Sequence, residues 1–448
     1  MHIVLLSGGS GKRLWPLSND IRSKQFIKMF HKDGAESTNN PEDLESMVQR
    51  VYRQIKEADE SADVTIATSR HQVSAIRNQL GDKVSICVEP ARRDTFPAIA
   101  LAASFLRYEK NIGIDETVIV CPVDPYVDRA YFECFKELDK MTQEGTYSLN
   151  LMGAEPTYPS EKYGYIIPNS KDHISSVKEF KEKPDLETAK KYLEQGALWN
   201  CGVFAFRLGY LLDKAHELLD FEDFKDLSSS YEDAKKISFD YAVVEHESSI
   251  GVVRYDGQWK DIGSWNTFAE EMPDKIIGNA QMDDTCEDSN IVNELNVPIL
   301  GMGLKNMIIA ASNDGILISD KTQSSYIKPF VEKMNQDIRY AEKSWGSFTV
   351  IDVQPEAMTI RVELKPSHKL NYHSHEHRDE VWTIMSGEGV VILDGKRRDV
   401  SIGDVIRMPA GCKHTVIART HMKIIEVQMG HEITVEDKIK YPFPEFDR

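Results

Sequence analysis

The sequence has no excess of basic residues, because 54 lysines and arginines stand against 72 aspartates and glutamates. The formal net charge is -18 at pH 7. A general nucleic-acid binder usually carries a basic surface, so this balance counts against a nucleic-acid partner. Small phosphorylated ligands remain open, since they need only a few local cations and backbone N–H groups.

Long apolar runs are also missing, and the cysteines are scattered. No stretch of about 18 or more apolar residues occurs, so we expect no membrane span and no membrane partner. The N-terminus lacks the charged start and long apolar stretch of a secretory signal. The 6 cysteines include no CxxC pair, which fits reduced thiols and gives no sign of a cysteine zinc site. Together these absences predict a cytoplasmic protein.

The 448 residues are too many for one hydrophobic core, which predicts two or three domains. Residues 1–272 alternate buried-strand runs such as HIVLLS and TVIVCPVD with helical segments, so we expect an α/β domain with a mostly parallel sheet. Residues 273–335 carry short apolar pieces broken by Asn, Asp and Gly, which predicts a short linking β unit. Residues 336–448 show recurring short strands with turn signals, typical of an all-β barrel.

A glycine cluster directly follows the first predicted strand, in GGSGKRLWPLS. A P-loop would need Ser or Thr where Arg13 follows Lys12, and a dinucleotide fingerprint would need glycine where Leu14 stands. Two interpretations remain, a plain turn or a loop that wraps nucleotide phosphates with backbone N–H groups. In the second interpretation the phosphate-binding glycines are Gly8, Gly9 and Gly11.

A second candidate site lies in YHSHEHRDEVWTIMSGEG, near the C-terminus. His373 and His375 alternate on a predicted strand and therefore share one face. With Glu380 and the distant His414 they make a four-ligand set for a divalent metal, Zn²⁺ or a similar transition metal. The alternative is a polar surface patch.

The N-terminal part resembles sugar-phosphate nucleotidyltransferases, particularly mannose-1-phosphate guanylyltransferases. The resemblance runs in order through GGSGKRLWPLS, KQF, EPARRDTFPAIALAA, CPVD, YGYI, FKEKPD, LWNCGVF, ISFDYAVVE and WKDIGSW. It implies a Rossmann-like nucleotidyltransferase domain that transfers GMP from GTP to mannose 1-phosphate, giving GDP-mannose and pyrophosphate. The resemblance also implies that Arg13 and Lys24 are catalytic cations at the triphosphate, and that Asp124 and Asp261 are catalytic and hold Mg²⁺.

The same resemblance implies two substrate subsites. Lys183 would contact the sugar phosphate, while Gly164, Glu182 and Asn200 would line the sugar pocket. The segment from Glu89 through Arg93 to Asp94 would approach the nucleobase. The family usually has Asn where this chain has Asp94, which puts the choice of base, and of sugar and nucleotide pair, in doubt.

The C-terminal part resembles the second half of bifunctional mannose-1-phosphate guanylyltransferase/mannose-6-phosphate isomerases, through KSWGS, VELKPSHKLNYHSHEHRDEVWTIMSG and IIEVQMG. The resemblance implies a cupin barrel whose metal assists interconversion of fructose 6-phosphate and mannose 6-phosphate, with Arg378 as a candidate for the substrate phosphate. The family usually has Gln at the position of His373. Two alternatives stay open: a cupin that only binds sugar or regulates, and a catalytically silent subunit. A homodimer is also left open.

Overall fold

The computed structural model describes residues 1–8, 11–19, 21–32, 43–334, 338–431, 433–434 and 436–444. The chain divides into two compact units. The first contains Met1–Leu14, Ser23–Ile277 and Asp320–Tyr326, and the second contains Trp15–Arg22, Gly278–Ser319 and Ile327–Arg448. The three-part division at residues 272 and 335 stays a prediction. No helix within the described ranges is long and apolar enough to cross a membrane.

The first unit alternates strands and helices. Its strands are β1 His2–Ser7, β2 Lys28–His31, β3 Leu44–Ser46, β4 Asp63–Ser69, β5 Ser85–Glu89, β6 Thr117–Pro122, β7 Pro125–Val127, β8 Leu149–Ala154, β9 Tyr165–Pro168, β10 Ile174–Lys181, β11 Leu198–Arg207, β12 Ile250–Tyr255 and β13 Trp259–Asp261. Its helices are α1 Met47–Ala58, α2 Val73–Leu80, α3 Thr95–Ser104, α4 Arg129–Glu144, α5 Leu186–Glu194, α6 Leu208–Leu218, α7 Phe224–Ser230, α8 Phe239–Ala242 and α9 Trp265–Glu270. The α/β class predicted for this part is confirmed.

Among the described residues, nine strands form the main sheet in the order β5-β4-β1-β6-β11-β8-β12-β10-β9. The β5-β4-β1-β6 half is parallel, as predicted. The other half is mixed, because β11 runs antiparallel to both β6 and β8. The sheet is therefore mixed rather than mostly parallel, and β11 enters it beside β6, the strand that ends just before Asp124.

Local sequence signals fix several element ends. Helix α1 begins at a capping box in which the Ser46 hydroxyl accepts from the Gln49 backbone N–H and the Gln49 side chain accepts from the Ser46 N–H. Helix α4 ends at Gly145, which has a left-handed φ of 70° that glycine adopts without a steric penalty. The core between sheet and helices is apolar and includes Phe96, Phe206 and Phe239.

The second unit is rich in strands. Strand β14 Ile276–Gly278 leads into β15 Ala280–Met282, β16 Asn290–Asn293, β17 Ile299–Gly301, β18 Met307–Ser312 and β19 Gly315–Asp320, and the short helix α10 Lys328–Val331 follows. Within this segment β15 pairs with β17 and β16 pairs with β18, both in parallel. The short strands predicted for residues 273–335 are therefore present.

The C-terminal strands are β20 Tyr340–Lys343, β21 Gly346–Gln354, β22 Ala357–Leu364, β23 His373–Ser374, β24 Arg378–Ser386, β25 Gly389–Leu393, β26 Lys396–Val400, β27 Val405–Met408, β28 His414–Ala418, β29 Met422–Gly430 and β30 Ile439–Lys440. In the part of this region that the structure describes, they form two sheets, β20-β21-β22-β29-β24-β27 and β26-β25-β28-β23-β30. Side chains from both sheets, including Trp382 and Val416, share one core. The predicted all-β class of the C-terminal part is confirmed.

Candidate functional site

In the first unit, an ion cluster forms where β6 and β13 end. The Lys24 Nζ lies 2.9 Å from the Asp124 carboxylate and 3.8 Å from that of Asp261, and it donates to the Ile262 carbonyl at 3.0 Å. The two carboxylates meet because β13 pairs antiparallel with β7, which sets Asp261 opposite Pro125, the neighbour of Asp124. The structure thus brings together three residues predicted for the transfer reaction.

The electrostatics of this cluster fit a cation between the two acids. Burial opposes ionisation of Asp124, but the Lys24 ammonium outweighs it and lowers the pKa of that carboxyl. Burial raises the pKa of Asp261, and the charge of Asp124 adds to the increase although Lys24 opposes it. Two carboxylates side by side, one of them hard to ionise, gain most from a further positive charge. Their oxygens are of the type that Mg²⁺ prefers.

Arg13 lies at the same place. A Cβ built on Gly263 would stand 3.5 Å from the Arg13 Nη1 and 3.3 Å from both carboxylate oxygens of Asp261. The Arg13 guanidinium and the Asp261 carboxylate therefore both lie against Gly263. Gly11 opens the helical turn that carries Arg13, and Gly8 follows β1, but Gly9 lies outside the described residues. The phosphate-wrapping role of the loop stays a prediction.

A cleft opens beside the ion cluster and contains the predicted sugar-binding residues. Asp124 and Asp261 share its lining with Gly164, Glu182 and Asn200. The Asn200 N–H donates to the Gly164 carbonyl at 2.8 Å, which ties β11 to the turn before β9. Lys183 pairs with Glu182 and has a left-handed φ of 45°. This arrangement brings metal-type acids and hydroxyl-binding groups into one cavity.

Asp240 is a cleft residue that the sequence reasoning missed. Its Oδ1 accepts a hydrogen bond from the Asn200 Nδ2 at 2.8 Å, and it lines the cleft with Glu182. Burial, followed by the charge of Glu182, raises the pKa of Asp240 to about 7. The available signal was the motif ISFDYAVVE, which carried the family resemblance but assigned no role to its acid. Asp240 can therefore offer either a donor or an acceptor to a hydroxyl near neutral pH.

Aromatic rings form one wall of this region. The Tyr163 ring lies 4.9 Å from that of Trp199 and 5.2 Å from that of Trp259, both edge-on. Trp259 is the first residue of β13, whose last residue is Asp261. Packing of Trp259 thus fixes the strand that carries one acid of the ion cluster.

The predicted nucleobase residues surround the end of β5. The Glu89 carboxylate accepts from the Tyr231 hydroxyl at 3.1 Å, and burial raises its pKa. The Arg93 guanidinium donates to the Glu232 carbonyl at 2.9 Å. Asp94 has a left-handed φ of 71° and accepts from the Thr95 N–H at the start of α3. These partners hold the segment in place, and base recognition by it stays a prediction.

In the second unit, His373, His375 and His414 converge. One nitrogen from each lies within 4.8 Å of the others, and all three side chains are buried. The His373 and His414 residues face each other in the pairing of β23 with β28. Glu380 completes the group, with its Oε1 3.0 Å from the His375 Nε2 and its Oε2 3.2 Å from the His414 Nε2.

Backbone carbonyls orient the three imidazoles. The Nδ1 atoms of His373, His375 and His414 contact the carbonyls of Asn371, Asp437 and Cys412 respectively. A carbonyl only accepts, so each Nδ1 must carry the proton and each Nε2 presents a lone pair. This is the arrangement by which proteins prepare histidines for a metal.

The remaining polar atoms also fit a cation. The Glu380 Oε2 and the His414 Nε2 are buried and have no hydrogen-bond partner within the described part of the chain. Two such acceptors facing each other at 3.2 Å are costly without a positive charge between them. A donor set of three imidazoles and one carboxylate suits Zn²⁺ or a similar ion.

Arg378 lies beside the metal group rather than open to a ligand. It is buried, its Nε donates to Glu380 at 3.2 Å, and its Nη1 donates to the Thr434 carbonyl at 2.8 Å. The same Nη1 lies 3.6 Å from the Asp437 carboxylate. These contacts indicate that Arg378 positions Glu380, and phosphate binding by Arg378 stays a prediction.

A second buried acid, Glu426, lies near Glu380 and was missed from the sequence. It accepts from the Trp382 indole at 3.0 Å and from the Gln428 amide at 2.6 Å. Gln428 also donates to Glu380, at 3.2 Å. Burial, followed by the charge of Glu380, raises the pKa of Glu426 to about 7. A carboxyl of this kind can exchange a proton near neutral pH.

Comparison with known proteins gives two domain matches. The family described as Nucleotidyl transferase matches residues 2–276, and the family described as Cupin domain matches residues 360–428. The chain is 29% identical to the xanthan biosynthesis protein XanB of Xanthomonas campestris pv. campestris strain B100, covering 98% of this chain and 97% of that one. It is 28% identical to a mannose-1-phosphate guanylyltransferase of Escherichia coli strain K12, covering 98% of each.

A solved structure shares the fold. It is the crystal structure of mannose-1-phosphate geranyltransferase from Thermus thermophilus, with a TM-score of 0.60 and 24% sequence identity. The similarity covers 74% of this chain and 98% of that chain. The ion cluster and the cleft lie in the region that the first family matches. His373, His375, Glu380 and His414 lie in the region that the second family matches.

Proposed function

Because this chain belongs to the nucleotidyl transferase family, we propose that it transfers GMP from GTP to mannose 1-phosphate, giving GDP-mannose and pyrophosphate. The observation that carries the proposal is the cleft that Asp124 and Asp261 line together with Gly164, Glu182 and Asn200, the residues predicted to bind the sugar. Two relatives that match along 98% of this chain, from Klebsiella pneumoniae and Escherichia coli, are named mannose-1-phosphate guanylyltransferase, which supports the choice of substrates.

The chemistry needs charge neutralisation more than covalent help. A phosphate oxygen of mannose 1-phosphate attacks the α-phosphorus of GTP, and the bond from that phosphorus to the bridging oxygen breaks as pyrophosphate leaves. Arg13 and Lys24 lie near Asp261 and would stabilise the negative charge that develops on the leaving pyrophosphate. Mg²⁺ held by Asp124 and Asp261 would add positive charge at the phosphates when it is bound.

The sugar is recognised by the other end of the cleft. Glu182 and Asp240 offer oxygens to the hydroxyls of the ring, and Asn200 holds Asp240 in position. Gly164 keeps the approach open, because a Cβ there would stand 2.5 Å from the Glu182 Oε2. Lys183, which pairs with Glu182, is the proposed cation for the sugar phosphate.

The test is a substrate panel read by pyrophosphate release. Mannose 1-phosphate and glucose 1-phosphate are each combined with GTP, ATP, UTP and CTP, with Mg²⁺ and with EDTA. We expect the highest turnover for mannose 1-phosphate with GTP and none with EDTA. Faster turnover with glucose 1-phosphate and UTP would support the alternative of another sugar and nucleotide pair, for which the acidic Asp94 gives a reason.

For the C-terminal unit we propose a metal-dependent isomerisation of fructose 6-phosphate and mannose 6-phosphate. A bound Zn²⁺ or similar ion would polarise the sugar carbonyl. Glu426 is the proposed proton carrier between C1 and C2, because it is buried close to Glu380 and its pKa is about 7. The test compares wild type with Glu426→Gln for conversion of fructose 6-phosphate. Unchanged turnover in the variant would remove Glu426 from the reaction, and no activity in a metal-loaded wild type would favour a sugar-binding cupin.

A further inference from the structure

Two lysines lie at strand β30, which pairs with the strand of the metal-type histidines: Lys440 ends the strand, and Lys438 directly precedes it. It pairs antiparallel with β23, which sets Lys440 opposite His373 and Ile439 opposite Ser374. The same register continued by one residue sets Lys438 opposite His375. Side chains directly opposite each other in an antiparallel pair lie on the same face of the sheet. His373 of β23 and the following His375 both belong to the metal group, so Lys440 and Lys438 lie on the same side as these histidines.

Electrostatics place Lys438 near the acids of the site. Much of the residue is in contact with solvent, yet the charges of Glu426 and Glu380 act on its ammonium. Desolvation outweighs their attraction, so the pKa of Lys438 is lowered, and Arg378 and Lys440 contribute to the decrease. The strand register and this exposure place both lysines at the surface, on the side of the metal group.

The other cation in this region is already engaged. Arg378 is buried, donates to Glu380 and Thr434, and lies 3.6 Å from the Asp437 carboxylate. By contrast, neither Lys438 nor Lys440 has a side-chain hydrogen bond or ion pair to another described residue. Glu380, Glu426 and Asp437 make the surroundings of the metal-type histidines acidic, so an anionic ligand would be repelled there unless cations stood nearby.

We propose that Lys438 and Lys440 form a phosphate subsite beside the metal group of the cupin, which takes the phosphate of a hexose phosphate whose other end reaches that group. The inference rests on the proposed sugar-phosphate function of the C-terminal unit. A lysine ammonium binds phosphate as a point charge and needs no fixed planar geometry, which suits two exposed side chains. In this account Arg378 orients Glu380, and the two lysines select phosphorylated sugars.

The test uses the full chain loaded with Zn²⁺ and four variants. Lys438→Met and Lys440→Met remove a charge at similar length, Lys438→Arg retains it, and Lys396→Met is the control on the exposed strand β26. Fructose 6-phosphate and inorganic phosphate are titrated by calorimetry, and isomerase KM and kcat are measured separately. Metal content and nucleotidyl transfer are measured on every preparation and report that the protein is folded.

We expect Lys438→Met to weaken binding of fructose 6-phosphate by about tenfold or more, with kcat within a few-fold of wild type. Lys440→Met should also weaken binding of fructose 6-phosphate, and Lys438→Arg should bind it with an affinity close to that of wild type. Binding of inorganic phosphate should fall in parallel. Unchanged affinity in both methionine variants would overturn the proposal, as would a fall in kcat alone, which would make Lys438 a positioning residue for Glu426.

The same measurements distinguish failure of the phosphate subsite from failure of the isomerase proposal. If the wild type binds fructose 6-phosphate in a manner that depends on Lys438 but does not convert it, the phosphate subsite stands and the isomerase proposal falls. If the wild type converts the sugar and the methionine variants keep its KM, the isomerase proposal stands and the phosphate subsite falls. If the wild type neither binds nor converts it, both are wrong.

Discussion

Replacing Asp240 with asparagine removes the acid whose pKa is most clearly raised in the cleft of the first unit. The side chain keeps its size and its acceptor for Asn200, so the 2.8 Å hydrogen bond can persist. What changes is ionisation, because asparagine cannot take up the negative charge that burial and Glu182 oppose. A comparison of the variant with wild type therefore measures the free energy that the ionised Asp240 carboxylate costs the folded protein without substrate.

The magnitude follows from the shift. The pKa of Asp240 rises from 3.8 to about 7, so the folded state keeps a proton that the unfolded state has lost between these values. The stability that this proton contributes is present in full below pH 3.8 and is lost as the pH rises through about 7. A shift of about 3 units at 1.36 kcal/mol each gives about 4 kcal/mol as an upper bound, reduced by water in the partly open cleft.

The assay is thermal unfolding of wild type and Asp240→Asn from pH 5.5 to 8.5, followed by a probe in the first unit. We expect the difference between the two proteins to grow in favour of the variant from pH 5.5 to about pH 7, by at most about 2 kcal/mol or about 6 °C in Tm, and then to level off. Asp220→Asn, which changes an exposed acid of the same unit, should show no such trend. A difference between wild type and Asp240→Asn that is the same at both ends of the range would refute the reasoning.

Three further predictions concern single side chains. Asp261→Ala should lower nucleotidyl transfer by about two orders of magnitude, or about 3 kcal/mol, at saturating Mg²⁺, and near-normal turnover would show that Asp261 is no metal ligand. Gly164→Ala places a Cβ 2.5 Å from the Glu182 Oε2 and should raise the KM for the sugar phosphate more than the KM for GTP. The control is Gly113→Ala, whose Cβ makes only an ordinary 3.6 Å contact with Glu116 and should change neither KM. His375→Ala should reduce bound transition metal and any isomerase activity, while nucleotidyl transfer stays within a few-fold of wild type. The control is His377→Ala, which changes an exposed histidine. Equal metal content in the two variants would show that His375 is not a metal ligand.

The site residues that could be predicted from the sequence are those whose position follows from the end or the face of a single strand. Asp124 follows a buried strand, and the alternation of His373 and His375 places them on one face, so their neighbourhoods follow from local periodicity. The ion cluster itself depends on the pairing of β13 with β7, which no local pattern specifies. Only the family resemblance connected Asp124 with Asp261 in advance.

Other features depend on tertiary contacts that a linear pattern does not contain. Asp240 enters the cleft through its contact with Asn200, and Glu426 joins the metal region through Gln428. Arg378 was chosen for its place in the motif, but its partners on the segment 434–437 occupy its guanidinium. The antiparallel insertion of β11 was also missed, because a buried strand has the same apolar run in either direction.

The measurement that tests the central claim most directly is a competition in one reaction. The full chain is given mannose 1-phosphate and glucose 1-phosphate in equal amounts, with equimolar GTP, ATP, UTP and CTP and Mg²⁺, and the nucleotide sugars are identified by mass spectrometry. The account predicts that GDP-mannose is the main product and that Asp261→Ala makes almost none. A product dominated by another nucleotide or by glucose, or no nucleotide sugar at all, would contradict it.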